Sequence, residues 1–409
     1  MTLALSRRRL LSTAMAGGCA ALLPAFPRTA LAAAPATDRP VHLTPIGLTV
    51  ERRTLEVNGR AASVFGIRQP DGTHGLVLDP GRRFLVDLAN RAGEEAVIHW
   101  HGQTPPYAQD GVADMNRPTI RDGGSASYDF APRTGTHWMH SHHGLQEQLL
   151  MAAPLVVRSA DDLRTDEQEV TVLLHDFTFR DPAEVLASLT GSAGGTEHGG
   201  QTGHGSHGSI GHGAMNHGGT AHGSAGHVMS GGMAMDLNDV EYDAYLANDR
   251  TVADPEVVRV ERGGRVRLRV INGATSTAFH LDLGGLTGEL VAADGNPVHP
   301  IAGNRFGISM GQRLDIRLTL PSEGGAFPIL ALREGAAQRT GIVLATPGAA
   351  VQRMAEQGDA ATEALDLSLE RRLVAGRPLG TRAADRTARV RLTGSMAPYV
   401  WSLGDRTFG

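Results

Sequence analysis

The chain has 409 residues, 41% of them hydrophobic, which is enough for two or three domains with proper cores. With 52 glycines, 21 prolines and 4% aromatics it reads as turn-rich β structure, not as a bundle of long helices. The formal charge of −5 argues against nucleic acid as a partner.

Residues 1–32 read as an export signal. Ser6-Arg7-Arg8-Arg9-Leu10-Leu11 fits the twin-arginine (Tat) pattern, and an apolar stretch from Leu10 to Phe26 is interrupted by Gly17, Gly18 and Pro24. Ala30-Leu31-Ala32 offers a cleavage site of the A-x-A kind. The stretch is short for a membrane span and ends in small residues, so a stable membrane anchor is the weaker reading. The Tat export machinery carries folded proteins, which places the mature chain in the periplasm or outside the cell. Removing this segment takes away Arg7, Arg8, Arg9 and Arg28 and no acid, leaving a charge of about −9. It also removes Cys19, the single cysteine.

Residues 41–158 show short strand-like runs, Leu48 to Leu55, Leu76 to Leu78, Phe84 to Leu88 and Ala96 to Trp100. Turn signals separate them at Asn58-Gly59, Asp71-Gly72, Pro80-Gly81 and Asp122-Gly123. This texture predicts a Greek-key β-sandwich, and by itself does not separate a cupredoxin from an immunoglobulin-like sandwich. Two histidine clusters stand out in it, HWHG at 99–102 and HWMHSHHG at 137–144. Strand side chains two apart share a face, so His99 with His101, and His140 with His142, form two imidazole pairs on neighbouring strands. Four converging imidazoles without cysteine predict a site for copper or another imidazole-loving metal.

Residues 168–347 have the same texture. Val170 to Leu174 and Val257 to Val260 read as strands, and Val266 to Ile271 alternates apolar residues with Arg as a half-buried strand does. His175, His280 and His299 read as structural or exposed. Inside lies a low-complexity insertion, 191–235, with seven histidines from His198 to His227 among Gly and Ser, then Met229, Met233 and Met235. Such composition cannot bury a core and is expected to stay disordered. Imidazole and thioether together favour capture of copper ions there, against the reading of a merely tolerated polar loop. Residues 348–385 read as a linker with a short helix at Gln352 to Glu356 and a strand at Ala364 to Leu369; Thr387 to Thr393 is then a strand opening the segment 386–409.

HWHG followed by His140-Ser141-His142-His143-Gly144-Leu145-Gln146 resembles the first two copper signatures of the multicopper oxidases, the laccase-like and copper-resistance branch in particular. The similarity continues through Glu147-Gln148 and Leu149 to Val157. It extends to Tyr245-Leu246-Ala247-Asn248, Asp294-Gly295-Asn296-Pro297 and Gly311-Gln312-Arg313-Leu314-Asp315 of the middle segment. The resemblance implies an all-β chain of tandem cupredoxin-like Greek-key sandwiches, two complete and the start of a third. It implies a trinuclear copper cluster in which His99 binds the type 2 ion, His101 and His140 share one type 3 ion, and His142 binds the other. His137 and His143 fall at positions the pattern does not use. Asp110, in Asp110-Gly111-Val112, resembles the acidic residue that delivers protons to bound dioxygen; an ordinary Asp-Gly turn is the alternative.

The implied reaction oxidises a one-electron reductant, Cu(I) or a phenol, and reduces dioxygen to water. The family's other two histidine motifs do not occur here, and a type 1 copper needs a cysteine thiolate beside two histidines. The chain therefore reads as truncated early in the third domain, without a type 1 site, and as inactive in this form. A copper-sequestering envelope protein without turnover is the alternative function, and a cupredoxin scaffold that has lost its metal is a third.

Overall fold

The computed structural model describes residues 44–112, 118–191, 237, 240–396, 399–404 and 406–407. The export signal and, beyond Gly191, the His/Met-rich insertion lie outside the described residues. None of the described helices is long and apolar enough to cross a membrane.

The first sandwich holds eight strands: β1 (Ile46–Val57), β2 (Arg60–Arg68), β3 (Leu76–Leu78), β4 (Phe84–Arg91), β5 (Ile98–His101), β6 (Ser125–Phe130), β7 (Gly135–Ser141) and β8 (Ala152–Val157). One sheet runs β2-β1-β4-β6, the other β3-β8-β7-β5. The chain changes sheet between most successive strands, which is Greek-key wiring. Period-two burial drives it: Phe84, Val86 and Leu88 point inward from β4 while Asp87 faces solvent. They meet Leu48, Val50, Phe65, Ile67, Trp100 and Met139 in one core. The Asn58-Gly59 hairpin has positive φ at both residues, 50° and 81°, as a tight turn with the strands' own twist requires. The strand expected over Ala96 to Trp100 starts two residues later, because Ala96 is spent on an isolated bridge to Ile120.

The second sandwich comprises β9 (Gln168–Phe177), β10 (Ala244–Ala247), β11 (Val257–Arg259), β12 (Arg265–Asn272), β13 (Phe279–Asp282), β14 (Gly288–Ala293), β15 (Asn296–Gly303), β16 (Arg305–Ile308), β17 (Arg313–Thr319), β18 (Ala326–Arg333) and β19 (Arg339–Ala345). Its sheets run β10-β9-β12-β17-β14-β15 and β11-β19-β18-β13-β16. Leu268, Val270, Phe279, Leu290, Ile316 and Ile342 fill its core. Two short helices flank β9, α1 (Ala160–Arg164) and α2 (Pro182–Thr190).

The arginine face of β12 departs from the half-buried expectation. Arg267 and Arg269 are buried, Arg269 to 1% exposure. Arg269 donates to Asp315 at 2.8 Å, to Glu169 at 2.6 Å and to Thr136 Oγ1 of the first sandwich at 3.0 Å; Thr136 in turn donates to Asp315 at 2.5 Å. A guanidinium tolerates burial when its fork is neutralised and hydrogen-bonded, as here. Trp138 and Ala152 of the first sandwich also pack on Leu173 and Ile271 of the second. Position 269 is therefore part of the seam between the sandwiches.

The helix expected at 352–356 and the strand at 364–369 do not form. That segment is a strap bonded to the second sandwich instead. Arg339 N donates to Glu356 O at 2.8 Å, Gly358 N to Ala337 O at 2.7 Å, and Leu365 N to Glu334 Oε1 at 2.6 Å. The backbone groups that a short helix or strand there would pair find partners on the second sandwich instead. The last expected strand begins at Leu392, not Thr387: β20 (Leu392–Met396) pairs with β21 (Tyr399–Leu403), which pairs with β22 (Arg406–Thr407).

Candidate metal centre

Strands β5 and β7 pair antiparallel, with His99 opposite His140 and His101 opposite Trp138. Directly paired residues share a face, so His99, His101, His140 and Trp138 project to one side while Trp100 and Met139 enter the core. His142 follows just past the end of β7. The ring centroids of His99 lie 5.8 Å from His101, 5.7 Å from His140 and 4.7 Å from His142. His140 is 5.4 Å from His101 and 4.8 Å from His142. One nitrogen from each of His99, His140 and His142 falls within 4.8 Å of the others, close enough to hold metal between them.

The partners behind the rings decide which nitrogens face inward. His99 Nδ1 donates to the Asp110 carbonyl at 3.0 Å, with the Asp110 carboxylate 3.5 Å away, so its Nε2 lone pair is left free. His140 Nδ1 lies 3.2 Å from Glu147 Oε1, without an aligned hydrogen bond, and its Nε2 sits 3.2 Å from His101 Nδ1. Trp138 stacks on His140 at 4.0 Å and 7°, which limits that ring's rotation. Burial, followed by the Arg313 guanidinium and the neighbouring imidazoles, pushes His101 down to about 3. Burial and then His140 bring His142 to about 4, and burial also lowers His99. These rings are neutral at pH 7, the state in which imidazole is a ligand.

Local sequence explains the placement. Asp110 caps a 3₁₀ turn over Tyr107–Gln109, and Trp100 Nε1 donates to Gln109 O at 3.0 Å, tying that turn to β5. Gly111 has φ +79°, and a Cβ there would sit 1.9 Å from the Ile98 carbonyl oxygen. The Asp-Gly turn and the carboxylate beside His99 are thus one device. After β7, Ser141 Oγ donates to Gln146 Oε1 at 2.7 Å, and Gln146 Nε2 donates to Glu94 Oε1 at 2.8 Å and Glu95 O at 2.7 Å. This buried amide holds the turn that carries His142.

His137 is buried away from the four rings, against Gly102 and Gly295, and His143 is not among the converging rings. His175 pairs with Gly273 O at 2.9 Å and His280 with Glu363 O at 3.0 Å, and neither is among the converging rings; His299 is exposed. Glu147 and Arg313 lie in the family-like segments, and the sequence alone assigns neither a role. The spacing of Glu147 after His140 was a usable signal; nothing local pointed Arg313 at His101.

Two family models, both described as multicopper oxidase, match residues 49–162 and 168–356. The multicopper oxidase MmcO of Mycobacterium tuberculosis is 30% identical over 259 residues, 62% of this chain and 47% of that protein. Copper resistance protein A of Escherichia coli is 28% identical over 294 residues, 70% of this chain and 48% of that one. The chain spans about half the length of the curated relatives it matches. Among solved structures, Fet3p, a multicopper oxidase that functions in iron import, superposes with a TM-score of 0.66 at 14% identity, covering 90% of this chain and 64% of that one. The laccase from Botrytis aclada gives 0.63 at 18% identity, covering 88% and 63%. At such identities these structures speak for the fold, which is the tandem cupredoxin-like β-sandwich. With both family models matched across the two sandwiches, the chain belongs to the multicopper oxidases.

Proposed function

We propose that this chain supplies the first half of a trinuclear copper centre in a laccase-like or cuprous oxidase of the periplasm or cell exterior. The observation that supports this is the convergence of His99, His101, His140 and His142, with carboxylates of Asp110 and Glu147 behind two of them. An all-imidazole donor set with no thiolate suits copper. His99 would hold the type 2 ion, His101 and His140 one type 3 ion, and His142 the other. In a completed centre, copper held there would supply the reduction of dioxygen to water, with electrons drawn one at a time from Cu(I) or a phenol-type reductant. The chain's own residues would fix ring orientation, and Asp110, about one-third exposed, would pass protons between solvent and the centre.

In this reading 41–158 and 168–347 are separate cupredoxin domains, 348–385 links them onward, and 386–409 opens a third. Cys19 is the single cysteine of the 409 residues and falls in the proposed Tat signal. These residues therefore offer no thiolate for a type 1 site, and the 409-residue product alone is expected not to consume oxygen. The seven histidines and four methionines within 191–235 favour a second reading, a periplasmic protein that sequesters copper without turnover. Neither reading involves nucleic acid or a stable membrane anchor.

The test is copper content, paramagnetic resonance and oxygen uptake for the purified chain and for His99→Ala/His140→Ala. Copper lost in the double variant supports the centre, whereas equal content and spectra in both would refute it. Oxygen uptake by the unaltered chain with a phenol or Cu(I) would overturn the expected inactivity.

A further inference from the structure

The centre is electrically lopsided. Asp110 and Glu147 stand behind His99 and His140, while the His101 end faces the second sandwich. There the turn before β17 packs on His101 directly: a Cβ on Gly311 would lie 3.3 Å from His101 Cε1. The next residue but one, Arg313, is buried to 4% exposure and reaches across the seam to Gly102, which follows His101. Its Nη2 stands 2.6 Å from where a Gly102 Cβ would be, and His137 Nδ1 stands 2.4 Å from the same point. Gly102, at φ +87°, is thus required both by its backbone and by what fills the space beside it.

Arg313 is held in place by bonds that do not cancel its charge. Nε donates to Thr136 O at 3.3 Å and Nη1 to Gly311 O at 2.7 Å. Asp294 is the carboxylate paired with it, at 3.2 Å and half exposed. A second guanidinium adds to this end: Arg133 donates to Gly102 O at 3.0 Å and to Asn296 at 2.8 Å. The nearby buried Asp315 is already engaged by Arg267, Arg269 and Thr136. Two guanidiniums therefore stand beside the His101 end against one half-exposed counter-charge.

We propose that Arg313 is a positioning residue through which the second sandwich, whose described residues add no imidazole to the four rings, biases the oxidation state of an ion held at His101. A fixed positive charge in a partly dry site disfavours Cu(II) more than Cu(I), because the divalent ion carries one more charge for it to repel. This rests on the copper-centre reading above.

The test compares affinities of the whole chain for Cu(II) and, anaerobically, for Cu(I), by competition with chromogenic chelators. His99→Ala/His140→Ala is the blank for copper held elsewhere on the chain. Arg313→Gln is expected to raise the Cu(II)-to-Cu(I) affinity ratio about threefold to tenfold, and Arg313→Lys to leave it within about twofold. Asp294→Asn, which suits the φ of 51° and keeps a side-chain oxygen for the Arg313 N–H, removes the counter-charge and is expected to lower the ratio about twofold to threefold. A purely structural Arg313 would weaken both ions alike, so an unchanged ratio in Arg313→Gln and Asp294→Asn overturns the inference. Should Arg313→Gln fail to fold, the opposite-signed shift in Asp294→Asn still decides it. Absence of cluster copper in the unaltered chain is a different result, and would remove the centre and this inference together.

Discussion

Replacing Gly111 with alanine tests whether the Asp110 turn is built around a backbone collision. The residue has φ +79°, where a non-glycine residue costs about 1 kcal/mol or somewhat more. The added methyl would also lie 1.9 Å from Ile98 O and 2.7 Å from Ile98 C, atoms of the strand that carries His99 and His101. Backbone of a paired strand cannot swing aside as a side chain can, so overpacking adds about 1–3 kcal/mol. The sum, about 2–4 kcal/mol, is best read against Gly59→Ala, which has φ +81° but nothing within 4 Å of its would-be Cβ. Gly59→Ala isolates the conformational cost, and the difference between the two variants isolates the collision. Urea titration followed by tryptophan fluorescence gives both numbers, because Trp100 and Trp138 lie in the affected sheet. Copper binding should fall in Gly111→Ala as His99 loses its Asp110 partner, and stay unchanged in Gly59→Ala. Equal destabilisation of the two variants, with copper retained in both, would refute the reasoning.

The remaining expectations concern charge and burial. Stability should fall as pH drops from about 6.5 towards 4. Burial lowers His74 and His175 and, with Arg313 as the next cause, brings His137 to about 4, so between those limits the unfolded chain binds protons the native one refuses. Each such group contributes a slope of up to about 1.4 kcal/mol per pH unit, and urea midpoints that stay flat from pH 7 to 5 would contradict it. Thr136→Val keeps the shape but removes a donor to Asp315 and an acceptor for Arg269; a loss of about 1–3 kcal/mol is expected by thermal and urea unfolding. Glu147→Gln should weaken cluster copper about tenfold by freeing the His140 ring, with stability nearly unchanged. An unchanged chelator competition curve would mean that Trp138 stacking alone orients that ring.

Much of the site was legible because strand geometry is local. A period of two places His99 with His101 on one face whatever the rest of the chain does, and antiparallel pairing brings His140 opposite His99. Turn chemistry was equally direct at Asn58-Gly59 and Asp110-Gly111, where positive φ selects the residue. The misreadings share a cause. Residues 352–369 carry scattered apolar side chains that mimic short elements, but their backbone groups find partners on the second sandwich. The arginines of β12 look solvent-facing until Asp315, Glu169 and Thr136 come together around them.

From residue order alone come the all-β class, the two histidine pairs and the expectation of an imidazole-binding metal, since spacing and ligand chemistry need no long-range information. Tertiary structure alone decided that Glu147 stands behind His140, that Arg313 crosses the seam to Gly102, and that a guanidinium at position 269 lies in a dry interface. Those are contacts between residues tens to hundreds of positions apart or across a turn, and their energies exist only once two sandwiches exclude water between them.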